Sequence, residues 1–120
     1  MPEVRSRQAS IEDILTSLIY DGSFDCAVVA SGDGLPVAMV GQNNAPMLAA
    51  VAASMKDLAE RAHPGITEIS SRDNQGNRVV SRYFSIDQDL LLLTVKMPAK
   101  HTYRRLTSKA ISKIRQVWAA

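Results

Sequence analysis

The fold of this chain is decided by the stretch Cys26-Ala-Val-Val-Ala-Ser31, Gly32-Asp33-Gly34, Leu35-Pro-Val-Ala-Met-Val40. Two apolar runs of strand length flank glycine and aspartate, which tolerate the positive φ that tight hairpin turns require. Because Pro36 lacks an N–H, the second strand is expected at an edge of a sheet. An alanine-rich amphipathic stretch, Pro46 to Ala62, follows directly and predicts a helix that Asn43 or Asn44 can cap.

The remaining elements follow from periodicity and turn residues. The first is a helix over about 11–20, with Ser10 as N-cap, Asp13 in capping-box spacing and Gly22 as the left-handed residue after the end. Three strands and a last helix are predicted over about 68–73, 78–85, 90–95 and 101–118. The order α-ββ-α-βββ-α with short connections predicts an α+β fold with one mainly antiparallel five-stranded sheet.

Length and composition bound the class of protein. The 120 residues, 46% of them hydrophobic, fit a single domain over 10–118 preceded by a flexible N-terminus over 1–9. The single cysteine excludes an intrachain disulfide, and its apolar strand predicts that Cys26 is buried. No apolar run approaches the roughly 18 residues of a membrane span, and the N-terminus lacks a signal-peptide apolar region. We therefore expect a cytoplasmic protein.

The net charge of +2 conceals an asymmetry. Residues 96–120 contain seven basic and no acidic residues, whereas residues 1–95 hold seven basic and all 12 acidic residues, a net charge of −5. Such a division marks either an interaction surface or a solvated helix face beside an acidic body.

Residues that carry chemistry are sparse. His63 and His101 have no ligand partners at metal-binding spacing, and Gly32-Asp-Gly34 precedes a strand, whereas a phosphate-binding loop precedes a helix. Asp87 and Asp89 flank a turn and do not form an acid–base pair. We expect no catalytic residues, no cofactor and no metal site, and hence not an enzyme.

The order of elements resembles the roadblock/dynein light-chain family over about residues 10–118. The family's hallmark is an apolar strand, a turn ending in Asp-Gly, a strand of small apolar residues and an alanine-rich helix, here Ala27–Ser31, Asp33-Gly34, Leu35–Val40 and Pro46–Ala62. Members often carry glycine where this chain has Cys26. The resemblance implies the sheet order 2-1-5-4-3, with the first and last helices on one face and the middle helix on the other.

The resemblance also implies a homodimer in which the middle helices pack together and the third strands pair edge to edge. The residues predicted for that interface are Ala45, Ala49, Ala52, Ala53, Glu68, Ser70 and Arg72. Small alanines let two helices approach closely, and a polar edge strand offers its unpaired backbone groups to a twin. The alternative is that these alanines pack on the chain's own sheet.

The function implied by the resemblance is a non-catalytic module that regulates or scaffolds a small Ras-like GTPase. Arginines that could act as a finger, Arg61, Arg72, Arg78 and Arg82, are candidates by residue type alone. One alternative is a small-molecule sensor of the PAS or profilin type, against which the few aromatic residues argue. Another is phosphate-backbone binding by the basic last helix, although Tyr103 and Trp118 fall on its apolar stripe.

Overall fold

A computed structural model of the chain describes residues 6–41 and 44–119. Three helices and five strands follow one another in the predicted order: α1 Arg7–Gly22, β1 Cys26–Ser31, β2 Pro36–Gly41, α2 Ala45–Ala62, β3 Glu68–Arg72, β4 Arg78–Ile86, β5 Asp89–Met97 and α3 Arg104–Ala119. None of the helices in this part of the chain has the length and apolar character needed to cross a bilayer.

The five strands form one antiparallel sheet in the order β2-β1-β5-β4-β3, which confirms the predicted α+β fold. The central strand β5 is buried over most of its length, as its nearly continuous apolar sequence predicts. Strands β2 and β3 are the two edges. Pro36 begins the β2 edge, where its missing N–H breaks no ladder bond to a further strand.

Helices cover both faces of the sheet and create two cores. The larger core lies between the sheet and the α1/α3 pair, and its fully buried members include Ile11, Leu15, Leu93 and Ile114. The smaller core lies under α2 and is built from Val28, Ala30, Tyr83, Leu92 and the alanines of the helix. Cys26 is buried, as predicted.

The first helix starts earlier than predicted. The Ser6 hydroxyl accepts a hydrogen bond from the backbone N–H of Ala9 at 3.1 Å, so Ser6 is the N-cap. The predicted cap, Ser10, lies inside the helix with its N–H bonded to the Ser6 carbonyl. Residues 7–9 of the expected flexible segment are therefore helical, and residues 1–5 lie outside the described part.

The end of α1 also differs from the prediction. Ser23, at φ 53°, adopts the left-handed conformation that was predicted for Gly22. Gly22 is instead required for space, because a Cβ there would lie 2.5 Å from the Phe24 ring. At the start of α2, Asn44 occupies the cap position without a side-chain hydrogen bond, and Asn43 lies outside the described residues.

Candidate interaction surfaces

The four alanines predicted for the dimer interface lie on the inner side of α2, against the chain's own sheet. They are between 0% and 6% exposed: Ala45, Ala49, Ala52 and Ala53. The Tyr83 hydroxyl donates a 2.7 Å hydrogen bond to the Ala52 carbonyl, and burial raises the pKa of Tyr83. In this structure the four alanines therefore pack on the chain's own sheet, which is the alternative given in the sequence analysis.

Larger apolar side chains occupy the outer side of α2. Met47, Val51 and Leu58 are 65%, 44% and 62% exposed, and Leu48 and Met55 are half-buried beside them. At 100° per residue these five side chains lie outward and toward β3. The opposite flank of the helix touches the β1–β2 turn, since a Cβ on Gly34 would lie 3.1 Å from Ala50 Cα.

We call these five side chains, Met47, Leu48, Val51, Met55 and Leu58, the α2 outer surface. Exposed apolar patches of this kind mark contacts with other molecules. Leu48, Val51, Met55 and Leu58 recur at helical spacing in the sequence, and the alanines form the neighbouring, buried side. The side chains on the buried side of α2 are small and those on the exposed side are large. This difference in side-chain size is the sequence signal that separates the face packed on the sheet from the exposed face.

A second exposed apolar pair lies at the β2 edge. Leu35 and Met39 are exposed, and Met39 is on the α2 face because it pairs with Val28, which is part of the α2 core. Neither residue is among the candidates that the sequence predicts for an interface. Met39 lies in a strand that the sequence predicts as an edge, and Leu35 directly precedes this strand, but their exposure depends on how far α2 reaches across the sheet.

The β3 edge is open in the described chain. The Tyr83 N–H donates to the Thr67 carbonyl at 2.9 Å, so the backbone groups of Thr67 point to β4. In an antiparallel pair the backbone N–H and C=O groups of every second residue point the same way. The alternation directs the backbone groups of Ile69 and Ser71 to β4, and those of Glu68, Ser70 and Arg72 outward. These three are the strand residues that the sequence predicted for an interface.

A charged network ties this edge to the start of α3. Glu68 accepts hydrogen bonds from the Tyr103 hydroxyl at 2.6 Å and from Arg104 at 3.4 Å, and it lies 3.6 Å from Arg82 Nε. Arg82 also donates to the side-chain oxygens of residues in the first turns of α3, Thr107 at 3.0 Å and Ser108 at 2.6 Å. This network therefore holds the Glu68 side chain of β3 against the first turns of α3.

The arginines named as finger candidates have different environments. Arg82 is half-buried in the network just described, and Arg78 lies over the Tyr103 ring at 5.0 Å. Arg61 and Arg72 are exposed. Only the last two are therefore free to extend toward a partner without breaking a described contact.

A cleft with a cavity volume of about 420 Å³ lies between the end of α2 and the sheet. Its polar side chains are already paired, because Lys56 donates to Glu60 at 2.8 Å and Arg115 donates to the Ser85 carbonyl at 2.6 Å. The Lys56 hydrogen bond, followed by the Gly65 and Ile66 N–H groups, lowers the pKa of Glu60. The cleft offers an enclosed ligand few unpaired polar groups.

Groups of three or more His, Cys, Asp or Glu side chains placed to hold a metal ion do not occur within residues 6–41 and 44–119. The surfaces described above are an apolar helix side, an open strand edge and a basic helix. The fold that carries them is that of a small α+β domain.

Comparison with solved structures identifies the fold. A gliding protein MglB from Thermus thermophilus superimposes with a TM-score of 0.78 at 8% identity, over 96% of this chain and 93% of that one. Myxococcus xanthus MglB gives 0.76 at 13% identity, over 99% and 95%. A Roadblock/LC7 domain from Streptomyces avermitilis gives 0.70 at 15% identity, over 90% and 94%. The chain has the Roadblock/LC7 fold.

Comparisons of the sequence gave no match. No protein-family model matches the chain, and no curated protein matches it either.

Proposed function

We propose that this chain is a non-catalytic homodimeric module that regulates or scaffolds a small Ras-like GTPase in the cytoplasm. The observation that carries the proposal is the combination of the open β3 edge with an exposed apolar α2 outer surface on the same side of the domain. The fold shared with MglB structures supports it.

The β3 edge specifies a register for pairing with a second copy. If two β3 strands pair antiparallel about Ser70, then Glu68 of each copy lies opposite Arg72 of the other. All three outward-facing residues then hydrogen-bond across the seam, and the opposite charges are cross-strand neighbours, which stabilises a sheet. A shift by one residue would place inward-facing backbone groups at the seam.

This pairing has a consequence for the helices. A two-fold axis normal to the sheet relates antiparallel strands that share one sheet, so both copies keep α2 on the same face. The side of α2 turned toward β3 then faces the twin helix. The α2 outer surface would thereby lose its contact with water, which is the favourable term in most protein association.

The GTPase contact is proposed at the part of the α2 face that the dimer leaves exposed. Met39 lies on this face at the β2 edge, remote from the β3 seam, and Leu35 directly precedes that strand; both are apolar and exposed. A patch of this kind that survives dimerisation is available to a different partner. The exposed cation Arg61, near the end of α2, is then the side chain that could extend toward bound nucleotide.

The test is co-elution with a Ras-like GTPase of the same organism, loaded either with GDP or with a non-hydrolysable GTP analogue. The proposal expects a complex with one nucleotide state and its loss in Leu35→Glu, a variant that keeps the dimer mass. A matched variant, Tyr20→Glu, changes an exposed side chain on the other face of the sheet and should bind normally. Failure of all such GTPases to bind in either state would overturn the proposed partner.

A further inference from the structure

The proposed dimer does not use the most strongly charged part of the molecule, which is α3. Five cations lie on α3 and the neighbouring strand β4, on the face opposite α2; we call them the basic face: Arg78, Arg104, Arg105, Lys109 and Lys113. Four of them are exposed and Arg78 is half-buried. The acidic residue nearest to them in β3, Glu68, is occupied by Arg82, Arg104 and Tyr103.

The cations in the central stripe of the basic face form no ion pair within 4.0 Å in the described part of the chain. Arg105, Lys109 and Lys113 are spaced four residues apart, so they share one side of α3, where like charges at this spacing destabilise a helix. Lys109 and Lys113 line a groove with Asp21 of α1, yet no ion pair within 4.0 Å joins them in the described chain. An uncompensated stripe of this kind is suited to an external polyanion.

Helix α3 lies flat against the domain because side-chain hydrogen bonds hold both of its ends. Arg82 bonds to residues of its first turns, and at the other end Trp118 Nε1 donates to Asp89 at 3.1 Å. The Arg7 guanidinium stacks on Trp118 at 4.1 Å. A helix held in this way presents a plane of cations rather than a helix end that enters a DNA groove. Its aromatic side chains are occupied in packing and do not provide a stacking platform for bases.

We propose that the basic face binds the anionic headgroups of a phospholipid membrane surface. This inference rests on the proposed dimer for its strength, since the two-fold axis normal to the sheet puts both basic faces on one side. Each basic residue near an anionic leaflet strengthens binding about fivefold, so the doubled array converts weak attraction into stable association. The other face of the joined sheet remains available to the GTPase.

The experiment is co-sedimentation of the full chain with vesicles of phosphatidylcholine alone or with added phosphatidylserine. The wild type is expected to sediment only with phosphatidylserine and to be released as salt is raised. The variant Lys109→Gln/Lys113→Gln removes two side chains that make no described ion pair, and it should bind at least about tenfold more weakly. Equal binding by this variant, or no wild-type binding to phosphatidylserine vesicles, would overturn the proposal.

The matched control is Arg61→Gln/Lys96→Gln, which removes the same charge from the α2 side of the sheet and should bind within about twofold of wild type. Light scattering on the same samples separates the two proposals. A dimer that does not sediment with the vesicles refutes the membrane inference alone. A monomer that sediments with them refutes the dimer alone. Retention of duplex DNA at salt concentrations where vesicles are not bound would make the face a nucleic-acid site and overturn the inference.

Discussion

Tyr83 donates its hydroxyl hydrogen to the carbonyl oxygen of Ala52, and this 2.7 Å bond fastens α2 to the sheet with its alanine side inward. The bond joins β4 to the middle of the helix, beneath which Val28 and Leu92 are fully buried. The relation decides which side of α2 reaches solvent. It therefore leaves Met47, Val51 and Leu58 exposed to solvent, while the alanines pack on the sheet.

Replacing Tyr83 with Phe keeps the ring and removes the hydrogen bond. We expect a loss of about 1 kcal/mol in the free energy of unfolding, because this is the usual net worth of such a bond. For a domain of 120 residues that corresponds to a decrease of about 4 °C in Tm. Thermal unfolding followed by circular dichroism measures it, with Tyr20→Phe as the exposed control. An unchanged Tm in Tyr83→Phe would show that the bond does not hold the helix.

Tyr83 also predicts how stability depends on pH. Burial raises its pKa in the folded state above the ordinary value of 10.0, which the unfolded chain retains. The contribution is fully present below about pH 10 and is lost as the pH rises through the folded-state value. Urea unfolding at a series of alkaline pH values should show stability falling above about pH 10, and falling less steeply in Tyr83→Phe. Parallel curves for the two proteins would be inconsistent with this.

Arginine substitutions distinguish the two sides of α2. Ala49→Arg inserts a charge between helix and sheet at a position that is 0% exposed, so we expect it to unfold the domain. Val51→Arg changes the α2 outer surface and should leave the circular dichroism spectrum intact while reducing the mass to that of a monomer, 13.1 kDa. The control Tyr20→Arg lies on the other face and should retain the dimer. A folded Ala49→Arg protein would show that the alanine side is not packed as described.

Two neighbouring serines of β3 test the direction of its backbone groups. Ser70→Pro removes an N–H that points to the open edge, so the monomer should fold but no longer dimerise. Ser71→Pro removes an N–H that points to β4 and should lower the stability of the monomer itself. Size-exclusion chromatography combined with thermal unfolding separates the two effects. If Ser70→Pro dimerised normally, pairing through this edge would be refuted.

The sequence predicted the element order well, because strand runs and turn residues are local signals, whereas the sheet order was implied by the resemblance to the roadblock/dynein light-chain family. The sidedness of α2 was harder to predict: alanines and large aliphatic residues both count as apolar, and only the space above Val28 and Tyr83 selects the small ones. The cap at Ser6 was missed because Ser10 with Asp13 offers an equally good local pattern. Similarly, Gly22 fitted a left-handed position, yet it is kept free of a side chain by the Phe24 ring.

The residues proposed for the two contact surfaces also differ in how far the sequence predicts them. Glu68, Ser70 and Arg72 were predicted from a polar strand at an edge, and the backbone alternation that directs them outward follows from their register with β4. Leu35 and Met39 could not be predicted, because their exposure depends on the width of sheet that one helix covers. The network from Glu68 through Arg82 to Ser108 joins residues that are distant in the sequence, so no local pattern predicts it.

The central claim is that two copies of this chain join through the β3 edge and the α2 outer surface. Sedimentation equilibrium over a wide concentration range tests it most directly. We predict a species of twice 13.1 kDa for the wild type and of 13.1 kDa for both Val51→Arg and Ser70→Pro. A wild-type protein that stays at 13.1 kDa at every concentration would contradict the claim.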